Sequence, residues 1–223
     1  MNTELQDDPF DGFPLEQRMI NRAKGSGINL APEIAARLAE HAREVLRMNP
    51  LVHLTSIIAP TQYLQRHLGE SFEGAAMLEE GAQGLLLDLG SGNGYPGFPV
   101  LAVRQGLDLV MAEASSKKAE FLRGCARRFG PGRARVLEAQ VQRAGDLGEI
   151  IAVRALVCRA MGNWSKVLPR LASVLGADGE MLLWGGADVE TVSRRAAWSK
   201  LRLVERKLLP GRERSWIWRF RLP

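Results

Sequence analysis

The chain has 223 residues, 46% of them apolar and 25% charged, with a formal net charge of +5. That suffices for one α/β domain and a modest extension, and no segment approaches the run of about 20 apolar residues that a membrane-spanning helix needs. Two cysteines without ligand spacing and the scattered His41, His53 and His67 make no metal pattern; the acidic, polar start is not a secretory signal, so a cytoplasmic protein is expected.

In chain order, residues 1–29 carry Pro9, Gly12, Pro14, Gly25 and Gly27 among scattered charges and read as a flexible or loosely docked tail. Residues 30–80 read as an N-terminal helical extension. Its first helix is predicted from Pro32 to Met48, with Ile34, Leu38, Ala42 and Val45 on one face and Asn49-Pro50 as the stop. A second helix is predicted near Pro60 to Leu68. From 81 to 223 strands and helices alternate. Strands are predicted at 85–89, 107–113, 133–137, 155–159 and 179–184, helices near 98–105, 116–129, 163–175 and 189–198. A hairpin of 201–208 and 215–221 closes the chain around Pro210-Gly211. The pattern predicts an α/β fold, a doubly wound and mostly parallel sheet with one antiparallel strand.

The chemistry is centred on Leu85-Leu86-Leu87-Asp88-Leu89-Gly90-Ser91-Gly92-Asn93-Gly94-Tyr95-Pro96-Gly97. A buried parallel strand runs into alternating glycines, Gly90, Gly92 and Gly94, which can take positive φ and let a ligand approach the backbone. Ligands of open α/β sheets lie off this carboxyl edge. Gly92 to Gly97 also fits the dinucleotide pattern G-x-G-x-x-G, but Asp88 would repel a pyrophosphate, and Pro96 and Pro99 remove N–H donors. An adenosine joined to a cationic amino acid, as in S-adenosylmethionine, suits the loop better. Asp88 would take its ammonium group. Glu113, ending the second strand, would accept the ribose hydroxyls, and Val141 and Gln142 after the third strand can reach the adenine edge. Arg159, ending the fourth, could hold the methionine carboxylate, Asp88 or a phosphate.

No catalytic base stands out, which suits transfer of an already activated methyl group to an unprotonated ring nitrogen such as guanine N7. From Arg194 onward the chain is rich in arginine, with only Glu205 and Glu213 opposed within that stretch, and this favours a nucleic-acid partner over a membrane.

The run Asp88 to Pro99 resembles the signature loop of the bacterial 16S ribosomal RNA guanine-N7 methyltransferases, the glucose-inhibited division protein B (RsmG) family. Leu54-Thr55-Ser56-Ile57, Arg66-His67-Leu68, Glu113-Ala114-Ser115-Ser116-Lys117-Lys118 with Phe121-Leu122, Arg159-Ala160 and Gly211-Arg212-Glu213-Arg214 resemble further family blocks in order. The resemblance covers about residues 30 to 221. It implies a class I, Rossmann-like S-adenosylmethionine-dependent methyltransferase acting on ribosomal RNA or the small ribosomal subunit; a monomer is expected. It also implies that Gly90, Tyr95, Val141, Gln142 and Arg159, with Ser91 in the same loop, meet the cofactor, and that Arg66, His67, Lys117, Lys118 and Arg214 line the RNA side. This chain departs from the family pattern at four places. Gln140-Val141-Gln142 stands for Arg-x-Glu, His53 for an Asn, Glu70 for an Asp and Trp184-Gly185 for a Lys-Gly. A cofactor-holding RNA binder with little catalysis and a small-molecule methyltransferase are the alternatives.

Overall fold

The computed structural model describes residues 8–223. Strands β1 (Gly84–Leu89), β2 (Leu107–Glu113), β3 (Ala134–Glu138), β4 (Val153–Arg159) and β5 (Leu175–Gly185) are parallel, in the order β3-β2-β1-β4-β5. Beyond β5 lies β7 (Trp216–Arg221), antiparallel to it, and β6 (Arg202–Leu208) forms the edge, paired antiparallel with β7. Among the described strands only β7 opposes the common direction.

Apolar residues cover both faces of the central strands. Leu86, Val157 and Leu182 join one core and their neighbours Leu87, Leu156 and Leu183 the other, as the two-residue period of a strand requires. The first face is covered by α1 (Leu15–Gly25), α2 (Pro32–Val52), α3 (Pro60–Tyr63), α4 (Glu70–Met77), α5 (Gly97–Val103) and α6 (Ser116–Phe129). On the second lie α7 (Trp164–Val167) and α8 (Asp188–Ser193). Because β1 has β2 on one side and β4 on the other, the chain direction reverses around it, and a crevice opens at the carboxyl ends.

Several expectations need correction. The expected tail is docked wherever it is described: Phe10, Leu15, Met19 and Ala23 are buried in the first core, while residues 1–7 lie outside the described part. A buried carboxylate anchors it, since Glu73 takes Arg22 at 2.7 Å from α1 and Lys207 at 2.7 Å from β6. The first helix passes Pro50, which stands in its last turn, and ends at His53 in the left-handed conformation, φ 55°. Histidine and asparagine are among the residues that tolerate this region, so His53 can stand for the family's Asn. The second helix runs on to Met77 through a π-helical turn, Leu64–Gly69. In the predicted 163–175 helix, Pro169 follows the first turn, and the chain continues as a 3₁₀ stretch, Leu168–Val174. The predicted 189–198 helix is split into α8 and a 3₁₀ turn, Ala196–Trp198.

The basic C-terminal stretch is also less free than its local sequence suggests. Arg219 and Arg221 reach buried Glu180 in β5, Arg206 reaches Glu190, and Arg212 lies 3.6 Å from Glu70. Acids distant in sequence neutralise much of it. Among the described residues no helix is long and apolar enough to cross a membrane.

Candidate active site

A cavity of about 840 Å³ opens at the carboxyl edge, lined by the glycine loop, the 53–57 segment, the π turn and the ends of β2, β4 and β5. Its volume falls in the range of small-molecule sites. The loop takes its shape from its glycines: φ is 73° at Gly90, 55° at Gly92 and 86° at Gly94. Nothing lies within 4 Å of a Cβ built on Gly90, so the space over the loop is open. At Gly97 the requirement is steric, because a Cβ there would stand 2.6 Å from Asp88 Oδ2 and push α5 off the strand.

Four of the loop's N–H groups are already used. Gly90 and Ser91 donate to Ala112 O, Gly94 to Ser91 O, and Gly92 to Glu113 Oε2 at 2.9 Å. A phosphate cradle aims such donors at its ligand. Here they hold the loop onto β2. Glu113 also accepts Ser115 N–H on Oε1 at 2.8 Å, so each carboxylate oxygen keeps one lone pair and the side chain borders the cavity. Two remaining acceptors side by side suit a vicinal diol.

Asp88 is placed differently from the expectation. It is buried beneath the loop, its Oδ2 accepting Gly97 N–H at 3.1 Å, and it is not among the cavity-lining residues. Burial pushes its carboxyl up to about 7, against the opposing pull of the Gly97 N–H and Arg159. The side chain braces the loop from behind.

On the β4 side, Arg159 donates to Arg66 O at 2.7 Å and to His67 Nδ1 at 2.8 Å. The π turn turns both acceptors toward the strand end; such turns often occur at functional sites. His67 Nε2 lies 2.8 Å from Thr55 Oγ1, and the ring stacks on Tyr95 at 4.9 Å between centroids. Tyr95 hydrogen-bonds Tyr63 through the hydroxyls at 3.3 Å. Burial and then the neighbouring Arg159 depress His67 to about 2, so the ring is neutral. At 4% exposure it is an internal brace, which corrects its expected place on an RNA surface.

Glu70 is buried among three guanidinium groups, Arg66 and Arg212 at 3.6 Å and Arg159 at 3.9 Å, all longer than hydrogen bonds. Three cations against one carboxylate leave this end of the cavity positive. Trp184 closes it, donating its indole N–H to Glu70 O at 3.2 Å. A Cβ on Gly74 would collide with the Trp184 ring, so the tryptophan occupies space that a glycine on α4 leaves for it. This is packing within the cavity wall, and it answers how Trp184 stands where the family pattern has Lys.

Of the other expected site residues, Gly90, Ser91, Gly92, Tyr95, Glu113, Arg159, Arg66, His67 and Lys118 border the cavity. Gly94 shapes the loop without lining it, and Lys117 faces a separate groove between α2 and α6. Val141 is buried, and Gln142, whose N–H bonds Asp146, lies outside; neither lines the cavity. Arg214 does not line it either, while its neighbours Arg212 and Ser215 do. The reading from sequence gave no site role to Thr55, Glu70 or Arg212. Glu70, four residues beyond Arg66 on a helix, carried the only local signal.

Replacing Glu113 with alanine removes the acceptor of two loop N–H groups and both free lone pairs. It is expected to weaken cofactor binding by about 1–3 kcal/mol in calorimetry.

A sequence model of the family described as rRNA small subunit methyltransferase G matches residues 34–210. A Sorangium cellulosum protein named Ribosomal RNA small subunit methyltransferase G is 31% identical over 191 residues, 85% of this chain and 77% of its own. Its namesake in Xanthomonas campestris pv. campestris is 34% identical over 171 residues, 75% of this chain and 74% of its own. Among solved structures, a TehB-like SAM-dependent methyltransferase from Corynebacterium glutamicum aligns with TM-score 0.54 and 18% identity, covering 83% of this chain and 99% of its own. A SAM-dependent methyltransferase from Aquifex aeolicus aligns at 0.58 with 9% identity, covering 71% and 92%. At such identities the structural likeness speaks for the fold, the class I methyltransferase sheet.

Proposed function

The chain belongs to the rRNA small subunit methyltransferase G family, and from that premise we propose that it transfers a methyl group from S-adenosylmethionine to N7 of a guanine in small-subunit ribosomal RNA. The observation that carries the reading is the glycine loop. Four of its amides are spent on Ala112, Ser91 and Glu113, which disfavours a phosphate-bearing dinucleotide, while the Glu113 carboxylate stands at the cavity with acceptors to spare. That donor and acceptor set fits an uncharged ribose.

Bound over the loop, S-adenosylmethionine would supply a methyl group already activated on a sulfonium. The protein's part is then placement. Glu113 would hold the ribose, Arg159 and the positive end of the cavity would hold the amino-acid carboxylate or an RNA phosphate, and the open mouth beside Arg66 and Lys118 would receive the base.

Among the described residues the groups that could take a proton are otherwise engaged, the two cavity-lining carboxylates included: Glu113 accepts two loop N–H groups and faces the ribose, and Glu70 stands among three guanidinium groups. His67 is neutral with both ring nitrogens engaged, Asp88 is turned away beneath the loop, and burial raises the Cys158 thiol far above its ordinary value. An acceptor atom that carries no proton matches this inventory, and guanine N7 is one. With methyl-labelled cofactor and ribosomal RNA, label is expected at guanine N7, and RNA carrying 7-deazaguanine at the target is expected to be inert. Methylation of the 7-deaza RNA would overturn the N7 assignment.

A further inference from the structure

Thr55 is held through its backbone and its side chain alike. The Asn49 side chain accepts Leu54 N–H and Thr55 N–H, each at 2.8 Å, and donates to Thr55 O at 2.8 Å. The Thr55 hydroxyl oxygen accepts Ile57 N–H at 3.0 Å and stands 2.8 Å from His67 Nε2.

Which of the two donates in that last contact is decided by Arg159. A guanidinium has donors only, so the 2.8 Å contact from Arg159 Nη2 makes His67 Nδ1 the acceptor. The neutral ring then carries its proton on Nε2 and donates it to Thr55 Oγ1. Both lone pairs of the hydroxyl are therefore occupied, by Ile57 N–H and by His67. One hydrogen-bonding function of Thr55 is left, its own O–H, and the residue lines the cavity. Facing a ligand, this hydroxyl can donate and cannot accept.

Its position sets which part of a ligand it meets. Glu113 ends β2 on one side of β1, whereas Thr55 is tied through His67 to Arg159 at the end of β4 on the other side. Thr55 thus belongs to the end of the cavity opposite the diol acceptor. Trp184, at the same end, has already given its N–H to Glu70 O, and the Ser56 and Ser215 hydroxyls that also line the cavity are not fixed as donors in the way that Thr55 is. Next to N7 on the same edge of a purine is position 6, an acceptor oxygen in guanine and a donor amino group in adenine.

We propose that Thr55 is a specificity-determining residue whose hydroxyl donates a hydrogen bond to O6 of the target guanine, with Arg159 and His67 fixing it as a donor. A guanine satisfies it, while a 6-amino purine would set donor against donor with no lone pair free to relieve the clash. The inference rests on the guanine-N7 reading.

The test compares RNA carrying guanine at the target with RNA carrying 2,6-diaminopurine there, which keeps N7 and replaces O6 by an amino group. Single-turnover methylation is measured for the wild type, Thr55→Ser and Thr55→Val. The wild type and Thr55→Ser are expected to prefer guanine by about tenfold or more. Thr55→Val is expected to lose about tenfold on guanine, the loss of one hydrogen bond, and little on diaminopurine, so that the preference collapses. S-adenosylmethionine affinity is expected to stay within about twofold throughout, since the contact is to the base. An equal loss on both RNAs, an unchanged preference in Thr55→Val, or a fall in cofactor affinity beyond about tenfold would overturn the proposal. So would a wild-type enzyme that does not discriminate the two bases, a result that needs no variant to fold. Failure of the underlying reading looks different: the wild type would methylate 7-deazaguanine RNA, whatever happens at Thr55.

Discussion

Arg159→Ala is expected to lower methyl transfer by about 100-fold or more and to lower stability by roughly 3 kcal/mol, the range for breaking a buried charged network and removing preorganised donors from an active site. The substitution orphans Arg66 O and His67 Nδ1, and it takes one of three cations from buried Glu70. It also frees the ring whose tautomer fixes Thr55. For a chain of this size the stability loss corresponds to a fall of about 6–12 °C in Tm, readable by calorimetry. The pH behaviour separates bracing from general-base catalysis. In the wild type His67 is held near 2, so the methylation rate is expected to show no His67 limb between about pH 5 and 9. Without Arg159 the second of the influences that depress His67 is gone. Its value then rises while staying below the ordinary 6.5, because burial, the larger cause, remains. A wild-type rate that collapsed as a group near 6.5 took up its proton, with the limb lost in His67→Gln, would show that His67 works as a base.

Glu180→Ala is expected to cost about 3–5 kcal/mol, or about 6–20 °C in Tm, while S-adenosylmethionine affinity at a permissive temperature is unchanged. Glu180 is fully buried in β5 and takes Arg219 at 2.5 Å, Arg154 at 3.1 Å and Arg221 at 3.3 Å. One carboxylate thus neutralises arginines from β4 and β7 on either side of its own strand. Removing it leaves three guanidinium groups facing one another across the sheet. None of these residues borders the cavity, so stability and cofactor binding should part company. A variant that kept its Tm would mean that the arginines reach solvent or other acids at little cost.

Local sequence was enough for what depends on short-range periodicity and backbone chemistry. Ser116–Phe129 forms the helix that its pattern predicts, and β2 spans Leu107–Glu113 as expected, because each has one strong period and clear stops. The apolar run before Gly90-Ser91-Gly92 specified a buried parallel strand with a ligand loop at its end, and the position of Glu113 specified an acid on the same edge. Strand and helix alternation closing in a hairpin specified a parallel sheet with one reversed strand. The tertiary structure decided what depends on partners distant in the chain. The proline- and glycine-bearing N-terminus could be read as loose because nothing near it in sequence reveals that Glu73 will hold Arg22. The arginine-rich C-terminus could be read as free for the same reason, Glu70 and Glu180 lying far upstream; Glu190, which takes Arg206, stands only four residues before Arg194. Asp88 and Glu113 both end strands at the ligand edge, and only the packing of Gly97 against the first turned it beneath the loop. His67 and Thr55 came together because a π turn, a strand end and a loop converge on one another. A hydrogen bond across tens of residues leaves no periodicity in the sequence, and its donors and acceptors acquire their roles only when the fold brings them within 3 Å or so of each other.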